Sequence, residues 1–155
     1  MRRDQIDDDL LEASFNFFFW FSRFEFALKE NKLLQSNTVG APAKPSWPQF
    51  HQKYGATYTP TSAAREMLSL HPKQQLIGTT GLTWEPVDVA KCPTELCKVV
   101  RMLTTVRNNL FHGGKRGDTD MDNKSRNLRL LQAGKIILDE LADLARFQGD
   151  YTRDY

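Results

Sequence analysis

A chain of 155 residues is long enough for one domain with a genuine hydrophobic core. An apolar share of 40% beside 26% charged residues is that of an ordinary globular domain. The formal charge of +2 is too small to announce a nucleic-acid partner by itself. Cys92 and Cys97 are the only cysteines, spaced C-x4-C, which is too few for a disulfide framework in a chain of this size. With His51, His71 and His112 scattered along the chain they do not form a zinc signature, so two cytosolic thiols are expected.

The first predicted element is a long helix over residues 5–34. Leu10, Leu11, Phe15, Phe18, Phe19, Phe26 and Leu33 recur at helical spacings, and Asp7, Asp8 and Asp9 suit the positive end of the helix dipole. From Phe15 to Phe21 the sequence is apolar around most of the circumference. That predicts burial on more than one side, in the centre of a bundle or on a face shared with a second subunit. The run is not a membrane span or a leader. It is preceded by Asp4, Asp7, Asp8, Asp9 and Glu12, interrupted by Arg23 and Glu25, and far shorter than the ~20 apolar residues a span needs. No membrane association and a cytoplasmic location are therefore expected. Arg23 and Glu25 are read as a local pair, or as groups reaching toward a site.

Residues 35–48 hold three prolines and a glycine and read as a loop. Ser46 then caps a short helix with Pro48 in its first turn and Phe50 and Tyr54 on it, ended by Gly55. Trp47 reads as a packing anchor. A second short helix starts at Thr59-Pro60, turns Ala63, Ala64, Met67 and Leu68 inward, and ends at His71-Pro72. Residues 72–93 show no convincing strand pair and are expected to be an irregular crossover, or a cover over a site. Gly78-Thr-Thr-Gly81 lacks the lysine and spacing of a phosphate-binding P-loop.

The stretch from Thr94 to Lys115 is the centre of the chain. Leu96, Val99, Val100, Leu103, Val106, Leu110 and Phe111 repeat at three and four, with Thr94 as N-cap, Glu95 in the first turn, and Gly113-Gly114 as a stop. Arg101, Thr105, Asn108 and His112 are predicted to form a polar stripe on the other side. Arg107 falls on or beside the apolar seam, where a cation needs a partner. A polar connection follows, then a last long helix over about residues 124–147, capped by Asp122 or Asn123 and striped by Leu130, Gly134, Ile137, Leu141 and Leu144. Residues 149–155 read as a polar, frayed tail after a single domain of residues 1–148. The elements make an all-α bundle: two long outer helices, a central helix, and short helices in the connecting segment.

Arg107-Asn-Asn-Leu-Phe-His112 resembles the R-x4-6-H signature of the HEPN superfamily, small helical bundles that include many metal-independent ribonucleases. The polar Asn108 directly after the arginine fits that family's pattern, and FFFWFSRFEFALKE is similar to the first helix of small bacterial HEPN proteins. The likeness covers the first, central and last helices and only loosely the middle third.

The resemblance implies an endoribonuclease without cofactor or metal, cutting RNA by attack of its own 2′-hydroxyl and leaving a cyclic phosphate. Arg107 would meet phosphate oxygens with its planar fork, His112 would move protons near neutral pH, and Asn108 would orient His112 or touch the phosphate. Lys115, Arg116 and Arg101 would draw in the RNA strand. Five residues turn a helix by about 140°, so Arg107 and His112 do not share a face. Family members meet this with a homodimer in which two motifs share one cleft. The resemblance also implies a toxin or phage-defence role, with an antitoxin of nucleotidyltransferase type as partner. Other readings stay open: a non-catalytic HEPN module that binds RNA or protein under a partner's control, or a structural helical protein. In the structural reading Arg107 bridges buried carbonyls and His112 bonds the last carbonyls of its helix.

Overall fold

The computed structural model describes residues 7–112 and 123–153, with the side chains of Phe111 and His112 outside that description. The described chain is mostly helical: α1 (Asp8–Glu30), α2 (Trp47–Tyr54), α3 (Ser62–Leu70), a hairpin of β1 (Lys73–Gly78) and β2 (Gly81–Pro86), α4 (Glu95–His112), α5 (Lys124–Ala145) and α6 (Gln148–Tyr151).

The caps follow from the sequence. Asp7 Oδ1 accepts from Leu10 N–H at 3.0 Å and starts α1, Ser46 starts α2, and Thr94 Oγ1 accepts from Cys97 N–H at 3.1 Å to start α4. Asn123 caps α5 by accepting from Arg126 N–H at 2.9 Å. α3 begins two residues later than Thr59-Pro60 suggested. Its N-cap is Thr61, whose side chain accepts from Ala64 N–H and donates to Glu140 Oε2 at 2.6 Å, tying α3 to α5.

α1, α4 and α5 enclose the core, with α2 and α3 closing its ends. Phe17, Phe24, Leu28, Leu96, Val99, Leu103, Ile137, Leu138 and Leu141 are fully buried. At the α1–α5 crossing a Cβ on Gly134 would lie 2.5 Å from Phe17 Cε2, so only glycine lets the helix approach the ring this closely. Phe24 centres an aromatic cluster. Trp47 stacks on it at 5.1 Å, Phe50 meets it edge-on at 5.3 Å, and Phe147 and Tyr151 close the far side. Trp47 is thus the packing anchor expected, and its indole N–H donates to Glu25 Oε1 at 3.1 Å.

Three expectations are corrected. Residues 72–93 contain an antiparallel hairpin, Lys73 pairing with Pro86 and Gly78 with Gly81 across a two-residue turn; Gly81 takes φ of 144°, which favours glycine. Most of its side chains are exposed on both faces, so no alternation of apolar residues marked it in the sequence. The tail does not fray through Arg153: α6 docks on α1 and buries Tyr151, whose hydroxyl donates to Asp139 Oδ1 at 2.9 Å. Arg23 and Glu25 do not pair. Arg23 is buried, and its guanidinium donates to the backbone carbonyls of Tyr151, Asp150 and Arg153 at 3.1, 2.5 and 3.1 Å. A cation inside an apolar helix is explained by a chain end that returns 128 residues later.

Candidate functional site

α4 carries the motif because its apolar seam is anchored from Leu96 to Val106, leaving the last turns to present polar groups beside the core. Arg107 is half-buried there. Its guanidinium carbon lies 5.6 Å from the centroid of the Phe21 ring on α1, within cation–π range, and Nη1 donates to Asn108 Oδ1 at 3.0 Å. The expected placement beside the apolar seam therefore has a physical basis: the aliphatic stem and the ring cover one side of the cation, and the neighbouring amide accepts from it.

Asn108 is exposed, and its amide oxygen turns back to Arg107. His112 closes α4, one turn beyond Asn108 and about 40° around the helix, while it lies about 140° from Arg107. Along the α4 backbone, then, Arg107 and His112 do not share a face. The His112 side chain, Lys115 and Arg116 lie outside the described residues. Arg101 is exposed but sits about 9 Å before Arg107 along the axis and on another face. The polar stripe expected on α4 is corrected at Thr105. That side chain is buried, and its hydroxyl donates to Arg101 O at 2.9 Å, so it serves the helix and not the surface.

The structure adds residues that spacing did not single out. Asn109 Nδ2 donates to Lys73 O at 2.7 Å, fastening the hairpin to the motif helix. Arg126 on α5 donates through Nη2 to Leu70 O and His71 O at 2.7 and 3.0 Å. Lys73, Asn109, Leu110 and Arg126 line a small cleft beside the last turns of α4. Asn109 lies inside the motif and was within reach of sequence reasoning. Lys73 and Arg126 come from elements 36 residues before and 17 after it and carry no local signal.

Other titratable groups do not compete for a chemical role. Burial pushes the Cys97 thiol up to about 11, helped by a hydrogen bond with Cys92, which makes it a poor nucleophile. Burial, with Glu140 and Glu95 nearby, raises Tyr58 to about 12, and burial lowers His51. Among the described residues no group of His, Cys, Asp and Glu could hold a metal ion, and no helix is long and apolar enough to cross a membrane.

Comparison of the chain with protein-family models, with curated proteins and with solved structures finds no match.

Proposed function

We propose that this chain is a HEPN-like endoribonuclease that cleaves RNA at a composite site in a homodimer. The observation that carries the reading is the Arg107–Asn108 pair on the last turns of α4, held against Phe21 and five residues before His112. An arginine fork so placed can meet two oxygens of one phosphate, and the charge that builds on those oxygens during attack is what a fixed guanidinium stabilises. The RNA 2′-hydroxyl attacks the adjacent phosphorus and loses its proton to a base. The bond from phosphorus to the 5′-oxygen breaks, and that oxygen takes a proton from His112, leaving a 2′,3′-cyclic phosphate. A helix C-terminus favours protonated imidazole, which suits His112 to the acid role. Arg101, Lys115 and Arg116 supply positive charge for the strand. Because Arg107 and His112 diverge around α4, the arginine of one chain and the histidine of the other complete one cleft.

A toxin or phage-defence role in the cytoplasm, restrained by a nucleotidyltransferase-type antitoxin, belongs to this reading through the HEPN resemblance. A non-catalytic module is the second reading, favoured by one observation: Arg107 is already engaged by Asn108 and the Phe21 ring. Labelled total RNA incubated in EDTA with wild type, Arg107→Ala and His112→Ala separates the two. The ribonuclease reading expects cleavage by wild type and a loss of at least about 100-fold in each variant. A folded wild-type dimer that leaves RNA intact removes that reading and leaves the binding module.

A further inference from the structure

The cleft beside the last turns of α4 is walled by Val106, Leu110, Leu130 and Leu131, and Arg126 lines it from α5 as a half-buried cation. Nη2 of Arg126 donates to Leu70 O and His71 O. Nη1 is buried and, among the described residues, meets no acceptor. A buried donor without an acceptor is costly, and a cation drawn out of water without an anion is more so. Its neighbours on α5 are neutralised, Lys124 by Asp7 and Arg129 by Glu66 Oε1 at 2.7 Å. Of these three cations Arg126 alone lacks a carboxylate among the described residues. The first turn of α5 holds no acidic residue, so the positive end of that helix adds to the charge instead of offsetting it.

The partner such a cation calls for is a small anion. The cleft has a volume of about 40 Å³, and one water-sized atom needs roughly 10–15 Å³, so about three such atoms fit. That suits the oxygens a phosphate group turns toward one site and leaves no room for a nucleobase. Asn109 Nδ2 gives one hydrogen to Lys73 O and keeps a second. A guanidinium and an amide N–H between apolar walls, where charge is little screened, make a phosphate-binding set. The position of the cleft on α4 points to the source of that phosphate. Asn109 stands three residues before His112, about 60° around the helix and 4.5 Å along it, but about 160° around from Arg107. The cleft therefore lies on the histidine side of the motif helix.

We infer that this cleft binds an RNA phosphate, the one next to the phosphate being cut, with Arg126 as its principal contact and Asn109 as the second. The inference deepens the proposed ribonuclease site and rests on that reading for the identity of the strand; the affinity of the cleft for an anion stands on Arg126. A contact one phosphate away from the reacting bond is the same before and during the reaction, so it governs affinity and not the chemical step.

Fluorescence anisotropy of a labelled single-stranded RNA, methylated at every 2′-hydroxyl so that it binds without being cut, tests this on the full chain. Arg126→Gln and Asn109→Asp are each expected to weaken binding about tenfold, and Arg126→Gln to lower the slope of log affinity against log salt by about 0.7, the share of one phosphate on a single strand. Arg126→Lys keeps the charge and is expected to lose no more than about threefold, with the slope unchanged. Arg129→Gln, whose cation is already neutralised, is expected to change binding by less than about twofold. With cleavable RNA, Arg126→Gln raises KM and leaves kcat within about twofold. Thermal unfolding checks the fold of each variant; where Arg126→Gln loosens it by freeing the Leu70 and His71 carbonyls, Asn109→Asp decides. Wild-type affinity in both Arg126→Gln and Asn109→Asp overturns the inference, as does a wild type that binds no RNA. Inorganic phosphate that raises the thermal midpoint of wild type but not of Arg126→Gln, with RNA affinity equal in both, assigns the cleft to a free anion and also overturns it. Variants that bind weakly beside a wild type that binds tightly and cuts nothing keep the cleft and remove the ribonuclease; cleavage by wild type, with both variants binding and cutting alike, does the reverse.

Discussion

Seven of the chain's ten phenylalanines lie on α1, and the helix assigns them opposite fates. Phe17, Phe21 and Phe24 are buried against α4, α5 and the Trp47–Phe50 cluster, whereas Phe15, Phe18 and Phe19 face outward. Residue type is the same on both sides, so hydrophobicity cannot be what separates them. Neighbours do: Phe17 meets a glycine on α5, Phe21 and Phe24 meet an indole on α2, and Phe24 meets the returning chain end at Tyr151. A long aromatic helix thus carries both fully buried and half-exposed rings.

The sharpest way to break the contrast is to truncate one ring from each side. Phe24→Ala removes the centre of the aromatic cluster and is expected to cost about 4 kcal/mol in denaturant unfolding, while Phe15→Ala, measured at low protein concentration, changes stability by no more than about 0.5 kcal/mol. Equal losses would mean that the outer stripe is packed within the chain.

Arg23 is the polar exception on the buried side. Arg23→Ala strips three carbonyls of the chain end of their donor and is expected to cost about 3 kcal/mol, with Tyr151 becoming accessible to hydrogen exchange and proteolysis of the C-terminus accelerating. Gly134→Ala presses a methyl group into the fully buried Phe17 ring, and a loss of about 2 kcal/mol in thermal or denaturant unfolding is expected. The exposed counterpart, Gly149→Ala, meets nothing within 4 Å and should cost no more than a few tenths of a kcal/mol.

The last effect is in pH. Burial, then the hydrogen bond to Asp139, raises the Tyr151 hydroxyl above its ordinary value of 10.0, and burial first raises Tyr58 from the same value to about 12. The unfolded chain releases these protons near pH 10 and the folded chain only higher, so both contribute stability that is complete below pH 10. That stability is lost as pH rises past 10, until for Tyr58 about 12 is reached. Urea unfolding followed between pH 9 and 11 should show the decline, and Tyr58→Phe should flatten it.

Much of the bundle was legible because local chemistry announces it. The capping side chains at Ser46, Thr94 and Asn123 stand where a helix needs an acceptor for its first free N–H groups, and the apolar period of α4 from Leu96 to Val106 matches the face that is buried. The hairpin was not legible, since Gln74, Gln75, Leu76, Ile77 and Leu82 follow no alternation when neither face is covered and Thr79-Thr80 is not one of the common two-residue turns. Of the candidate site, Arg107 and Asn108 were legible from adjacency, while Lys73 and Arg126 were not.

By itself the sequence determined where the five longer helices lie, though not α6, and that a cation would stand at the seam of α4, because capping and periodicity act within one or two turns. Tertiary structure alone decided that Arg23 holds the chain end, that Thr105 turns inward, that Phe21 lies under Arg107, and which phenylalanines of α1 are left outside. Each of these depends on a partner tens of residues away, and a contact between distant segments leaves no local pattern in either of them.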